Sequence, residues 1–391
     1  MPRQTLITLL LSVFIALLGI GIIIPVMPVF ATTLGANGFA LGMIIAAFSV
    51  SRGILQPLVG SLSDRWGRKG FLISGLFIYG LVGLLIPHAA YVSHLIGVRA
   101  FHGVGSAMIV PIGMAYMSIL APAGFEARYQ SYLNIAIFCG IGCGPIIGGL
   151  VSDTLGFSAV FYLMALLSFL ACILVIFTMP TATSMEGGRK VAMFANFVAM
   201  IRSRRTLGIL IARFATMIIM VPTMAFLPLL MNERMSATGV QIGMVIACRT
   251  LVNAILQIPA GTVADRYDKR FLLFSGCVGI CSCLALIPLV PNLTMMLVLY
   301  CVLGCAEAII WPVLSAYASI EGKNHYGHGA MMGVFSLAMS LGVFIGATVS
   351  GKVMDIWGVD AAYWSTALVV MLLCSGALLM IGNRQSDPRS D

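Results

Sequence analysis

The chain is expected to be an all-α integral membrane protein, with twelve transmembrane helices in two six-helix, pseudo-symmetric bundles. Three observations predict this. Of its 391 residues 60% are apolar and 9% charged, with mean hydropathy +1.05, whereas a soluble domain carries about 25% charged residues. Too little polar side chain is present to cover a water-facing surface, so the solvent must be lipid. Next, the sequence divides into twelve apolar segments, each near the ~20 residues that cross a bilayer as a helix. Finally, it repeats. At an offset of 201, Gln56, Gly60 and Asp64–Arg65 align with Gln257, Gly261 and Asp265–Arg266, as do Gly103 with Gly304 and Pro111 with Pro312. At an offset of 202, Gly140, Gly144, Gly149 and Asp153 meet Gly342, Gly346, Gly351 and Asp355.

The first bundle is expected over residues 1–180. Span 1 (5–31) is too long for the apolar core of a cleavable signal and no A-x-A site follows, so it reads as retained. Span 2 (39–60) holds Arg52 and Gln56 and runs into the charged stretch GSLSDRWGRKG. Span 3 (70–88) leads to span 4 (94–119), with Arg99, His102, Gly103 and Gly105. Span 5 (129–152) carries Asn134 and the series Gly140, Gly144, Pro145, Gly148, Gly149, and span 6 (157–180) closes the half. Residues 181–205 form a cytoplasmic linker; its segment KVAMFANFVAMIRSRR has an apolar body and a basic end, as an interfacial helix on the inner leaflet should. The second bundle, 206–391, begins with span 7 (206–231), carrying Arg213 and Phe226. Span 8 (238–262) holds Arg249, Asn253 and Gln257, and ends in GTVADRYDKRF. Span 9 (271–290) is followed by span 10 (293–320), with Tyr300, Glu307 and Trp311. Spans 11 (327–352) and 12 (359–382) complete the set.

Charge fixes the expected orientation. With the N-terminus placed in the cytoplasm, sixteen of the 22 Lys and Arg fall in cytoplasmic segments, two in external loops and four inside spans. This is a strong positive-inside bias. A multi-pass protein of the cell (inner) membrane with both termini cytoplasmic follows, and the formal charge of +9 speaks for membrane orientation, with no nucleic-acid partner. The ten cysteines all lie in spans, where thiols act as small apolar packing groups. No G-x-x-x-x-G-K-[ST], G-x-S-x-G or H-E-x-x-H occurs, so neither ATP-driven pumping nor these hydrolase or metalloprotease sites is encoded. An enzyme is not expected, nor a metal or cofactor.

The motifs carry a family resemblance across essentially the whole chain. Gly60-Ser-Leu-Ser-Asp64-Arg65-Trp-Gly67-Arg68-Lys69 matches the loop 2–3 signature of the major facilitator superfamily. Arg99 with Gly103 and Gly105 looks like its intramembrane arginine motif. The glycine–proline series of span 5, with Pro25 and Pro28 in span 1, resembles the twelve-span drug:proton antiporters. The resemblance implies alternating access about a site between the halves near the midplane, with spans 1, 4, 7 and 10 lining the cavity and 2, 5, 8 and 11 forming the interface. It also implies that Gly60, Asp64, Arg65, Gly67 and Arg68, with Asp265 and Arg266 in the second copy, make conformational latches. Asp64 would face the start of span 11 and Asp265 the start of span 5, where helix N-termini carry positive potential. Basic topogenic loops would explain Arg68 and Lys69 but not the repeated Asp. The span 5 glycines are expected to pack across the interface between halves, as small residues allow.

Charges inside a bilayer cost about 2.5–3.5 kcal/mol each, so their retention points to function. Arg52, Arg99, Arg213 and Arg249 stand against one acid near a span centre, Glu307. Glu307 is the first candidate for proton coupling, an ion pair with Arg249 or Arg213 being its structural alternative. Arg99 and His102 are further proton-coupling candidates; each could equally serve packing or helix orientation. Arg52, Arg213, Arg249, Gln56, Asn134, Asn253, Gln257, Phe226, Tyr300 and Trp311 are substrate-cavity candidates. The expected function is secondary transport, most simply proton-coupled efflux of a small organic molecule by a monomer in the lipid bilayer, driven by the proton gradient. Four cations against one anion favour an anionic substrate. Export of sugars, siderophores or lysolipids, or uniport or import, are the alternatives.

Overall fold

The computed structural model describes residues 2–120, 126–180, 193–326 and 328–382; within these, the side chains of 2–3, 57, 61, 64–65, 118–119, 126–131, 193–196, 258, 261–262, 264–266, 323 and 328–330 are outside the description. The described residues are helical almost throughout and contain no strand. Eleven stretches among them are long and apolar enough to cross a membrane, and the last, Met331–Ile381, is two spans joined at Gly358, whose φ of 85° and ψ of 172° break the helix. The twelve expected spans are therefore present.

Span 1 is two helices, Pro2–Ile23 and Val26–Thr33, broken just before Pro25, which has no N–H to donate. Spans 2 to 6 are Gly38–Trp66, Arg68–Leu85, Val92–Leu120, Glu126–Leu155 and Phe157–Thr178. The charged stretch after span 2 is thus mostly helix: only Gly67, with φ 90°, makes the turn, a conformation that glycine adopts without steric cost. Its counterpart Asp268 instead caps span 9, accepting from the Arg270 N–H at 2.9 Å. Met193–Arg202 is a short helix within the expected linker, and Ser203 then caps span 7 by accepting from Thr206 N–H.

Span 7 is Arg204–Ile218 continued, through a wider π-type turn at Pro222–Phe226, by Leu227–Met235. Spans 8, 9 and 10 are Gly239–Arg266, Lys269–Leu286 and Leu293–Glu321; spans 11 and 12 cover 328–357 and 359–381. The repeat extends to backbone detail: Gly156 (φ 84°, ψ 171°) separates spans 5 and 6 as Gly358 separates 11 and 12.

Close packing of small residues assembles the bundles. A Cβ on Gly140 would lie 2.7 Å from the Phe14 carbonyl oxygen, and one on Gly144 2.5 Å from Gly21 Cα; Gly148 abuts Ile22. In the other half Gly342 and Gly346 meet Phe214 and Ile218 of span 7 in the same way. This corrects the expectation for the glycine series. Gly140, Gly144 and Gly148 form a stripe at four-residue spacing that seats span 1 inside its own half. Only Pro145 and Gly149, on the neighbouring stripe, face the other half, against Gly243 and Gly239.

The halves meet along two seams, span 2 on span 11 and span 5 on span 8. On the first, Gly38 packs on Gly351, Gly42 on Ala347 and Gly53 on Ser340. Seven residues further along the same helical faces, at Gly60 and Gly333, a Cβ would meet no described atom within 4 Å. Among the described residues this seam is therefore close-packed toward the face opposite the chain termini.

Candidate functional site

At the closed face the seams are fastened by two carboxylates. The first four amides of a helix have no acceptor within it. Span 2 begins after Asn37, whose side chain accepts from Ala40 N–H at 2.9 Å. The two amides between are taken by Asp355 of span 11, its Oδ1 accepting from Gly38 at 2.5 Å and its Oδ2 from Phe39 at 2.9 Å. Span 8 repeats the arrangement. Thr238 accepts from Gln241 N–H within a capping box, while Asp153 of span 5 accepts from Gly239 and Val240, both at 2.9 Å. Each acid thus satisfies the N-terminus of a helix in the opposite half, where the macrodipole favours negative charge. Both stand exposed at the surface. Sequence reasoning aligned Asp153 with Asp355 but assigned them no role; the shared offset of 202 was the signal. The side chains of Asp64, Arg65, Asp265 and Arg266, expected as latches, lie outside the description. Among the other expected latch residues, Arg68 donates to the Ala115 carbonyl at 3.5 Å.

The intramembrane charges sort into two dissimilar clusters. In the second half, Arg249 and Glu307 are each 2% exposed and form a two-pronged ion pair: Nε donates to Oε2 at 2.9 Å and Nη2 to Oε1. Arg249 Nη1 donates to Thr223 Oγ1 at 2.7 Å. Thr223 lies in the π-type turn of span 7, where the Pro222 carbonyl accepts from Leu227 N–H, five residues on. Two buried tyrosines also donate to carbonyls of this turn: Tyr300 to Thr223 O at 3.2 Å and Tyr363 to Pro222 O at 2.7 Å. Spans 7, 8, 10 and 12 are tied together here. Phe226 and Tyr300, considered as cavity residues, are both fully buried in this packing.

The first half places different groups at the matching positions. Arg99 lies over the Phe48 ring at 4.5 Å and its Nη1 contacts His102 Nδ1 at 2.8 Å. A guanidinium can only donate, so Nδ1 accepts and the ring hydrogen is assigned to Nε2. That Nε2 is buried with no partner, and the ring is wedged between Tyr79 and Phe48. Arg52 adjoins this cluster, its backbone N lying 3.1 Å from a Cβ built on Gly103. Among the described residues the buried Nε atoms of Arg52 and Arg99 have no hydrogen-bond acceptor, and neither arginine meets a carboxylate.

Arg213 of span 7 stands apart from Arg249. It sits 4.9 Å from the Phe335 ring centroid and 5.8 Å from that of Trp311, and donates to Met339 Sδ at 3.1 Å. Asn253 is buried, accepting from Gln257 Nε2 at 3.4 Å with its own Nδ2 unpaired; Gln56 is half-buried and Asn134 exposed. An apolar groove of about 440 Å³ runs between spans 1 and 5, lined by residues such as Leu11, Phe14, Tyr132 and Ile135. Among the described residues, the only side-chain contacts between the charged candidates are thus Arg249 with Glu307 and Arg99 with His102, both within one half. All ten cysteines are free.

Comparison with known proteins agrees with this architecture. An MFS-type transporter of Methanocaldococcus jannaschii is 27% identical over 370 residues, covering 92% of this chain and 93% of that one. Multidrug resistance protein 2 of Bacillus subtilis is 27% identical over 365 residues, 90% of each. The crystal structure of the nucleoside transporter NupG superposes with a TM-score of 0.81 at 14% identity, covering 97% of this chain and all of that one, a likeness of fold. The sequence pattern described as Major Facilitator Superfamily matches residues 9–238 and again 206–391, and the chain, a transporter and not an enzyme, belongs to that family.

Proposed function

We propose that the chain exports a small organic molecule from the cytoplasm in exchange for protons, by alternating access. The carrying observation is the pair of cross-half contacts, Asp355 on span 2 and Asp153 on span 8, which close one face. Two such fasteners at symmetric positions suit bundles that rock about a central site. Among the described residues the basic side chains concentrate on the opposite face, which supports reading it as cytoplasmic. Kinship to a protein named for multidrug resistance supports efflux, and a drug or metabolite as cargo. No cofactor enters; the proton gradient supplies the energy to a monomer.

Of the three proton-coupling candidates, Glu307 is the only carboxylate, and we place the coupled proton there. Its protonation would uncouple Arg249 and loosen the knot at the span 7 turn, linking charge to helix movement. His102, accepting from Arg99 and wedged between rings, serves to orient that arginine.

The test is transport in inverted membrane vesicles with an imposed pH gradient, using a panel of radiolabelled amphipathic cations, neutral compounds and anions. Export coupled to protons predicts that at least one compound accumulates when the vesicle interior is acid, and that nigericin abolishes the accumulation. Exchange insensitive to the gradient would mean a uniporter. Accumulation only with an alkaline interior would mean an importer.

A further inference from the structure

We propose that the transported molecule is an organic anion whose carboxylate, sulfonate or phosphate bridges Arg52 of the first half and Arg213 of the second, with its apolar body against Trp311. The proposal rests on the reading of the chain as a substrate exporter and specifies what that site takes.

Four guanidiniums lie within the spans, but they are not equivalent. Arg249 is neutralised by Glu307 in a bidentate pair and is unavailable to a ligand. Arg99 is engaged with His102 and the Phe48 ring. That leaves Arg52, with no hydrogen bond to any described residue, and Arg213, whose one hydrogen-bond acceptor is a thioether, a weak one. Both keep a buried Nε without an acceptor. A cation held at membrane depth without a counter-ion is costly, and Trp311, beside Arg213, adds a further buried donor, Nε1, without a partner among the described residues. A ligand that supplies negative oxygens answers this imbalance; a cationic one aggravates it.

Position makes the two arginines a pair. Gly53, next to Arg52, packs on Ser340 of span 11, and Arg213 donates to Met339, one residue away. Arg52 in the first half and Arg213 in the second therefore stand at one level along span 11. An anion held by both would be gripped by both bundles, as a transported molecule must be. The Phe335 and Trp311 rings lie within cation–π distance of the Arg213 guanidinium, whose edge N–H groups remain for an oxyanion.

Binding to the purified full chain in detergent, with no gradient, tests the idea using five naphthalene probes: carboxylate, sulfonate and phosphate ester, the neutral carboxamide, and the methylammonium. At least one anion should bind and the carboxamide and methylammonium should not. Arg52→Gln and Arg213→Gln should each raise Kd at least tenfold, while Arg52→Lys and Arg213→Lys, which keep charge and guard against misfolding, should lose only a few-fold. Failure of all three anions to bind, equal binding of the amide or amine, or Gln variants that bind like the parent overturns the proposal. So does full competition by equimolar sodium sulfate, which would indicate a site for inorganic anions only. Gradient-driven uptake is then read separately. An anion that binds but never accumulates sinks the proton-export reading and leaves this site standing; a cation that accumulates while no anion binds does the reverse.

Discussion

Substituting Asp153 by Asn should open the face opposite the termini, and the structure sets the size of the effect. The carboxylate accepts two backbone N–H bonds at the start of span 8. Hydrogen bonds to a charged group contribute about 1.5–3 kcal/mol, and losing a helix cap costs about 0.5–2 kcal/mol. The acid is exposed, so screening argues for the low end, and Asn keeps one acceptor oxygen. A loss of about 1 kcal/mol results, or about fivefold in the opening equilibrium at 1.36 kcal/mol per decade. Amide hydrogen exchange followed by mass spectrometry reads it directly, because the first-turn amides of spans 2 and 8 owe their protection to acceptors outside their own helix. The informative peptide is the untouched one. In Asp153→Asn the bonds of Gly38 and Phe39 to Asp355 remain, yet if the bundles rock as rigid bodies their exchange should also quicken about fivefold. The Asp153→Asn/Asp355→Asn double variant should reach about thirtyfold, the contributions adding at separate sites. If exchange at Gly38 and Phe39 is unaltered by Asp153→Asn, the seams open independently and the rocking argument is wrong.

Three further outcomes are expected. Glu307→Ala leaves Arg249 buried and uncompensated and should destabilise the fold by about 3–5 kcal/mol, seen as a lowered thermal midpoint; Glu307→Ala/Arg249→Met should recover most of it, and no recovery would contradict the pairing. Glu307→Gln should abolish accumulation driven by a pH gradient in vesicles while leaving substrate counterflow measurable; unchanged accumulation would move the coupled proton elsewhere. Gly149→Val would drive its branched side chain into Gly239 at the closed seam, so it should speed exchange at Gly239 and Val240 more than tenfold, and equal exchange would show that the seam tolerates bulk.

Twelve spans and the internal repeat were legible because they depend on quantities summed over many residues. Apolar content and repeat spacing survive any local error. The direction of the glycine stripes was not legible: Gly148 and Gly149 are adjacent, yet one faces span 1 and the other span 8, a difference of one helical step of about 100°. The role of Asp153 and Asp355 was also missed, since a carboxylate that binds backbone amides needs no recognisable side-chain partner. By contrast, the Arg249–Glu307 alternative could be written down from composition, because one buried acid among four buried bases has few choices. Choosing Arg249 over Arg213 required the packing of spans 8 and 10.

The repeat also shows where the halves were driven apart chemically. At the offset of 201, Arg249 falls on Phe48, Glu307 on Ser106, Asn253 on Arg52 and Tyr300 on Arg99. One backbone framework therefore holds a self-neutralising ion pair in the second half and, among the described residues, two arginines without a carboxylate in the first. A pair closed within one half cannot by itself sense the other half, whereas an unmet charge beside the seam can be satisfied only by something entering from the cavity. Transplanting the acid tests this division. Ser106 hydrogen-bonds Tyr79, which lies within electrostatic reach of both Arg52 and Arg99, so Ser106→Glu should give the Arg52 charge a partner without disturbing either seam. If the first half discriminates by its unmet positive charge, the variant should fold at least as stably as the parent and still exchange its first-turn amides normally. It should nevertheless lose affinity for the naphthalene anion that binds the parent by tenfold or more. Unchanged affinity would mean that charge in the first half plays no part in selecting the cargo.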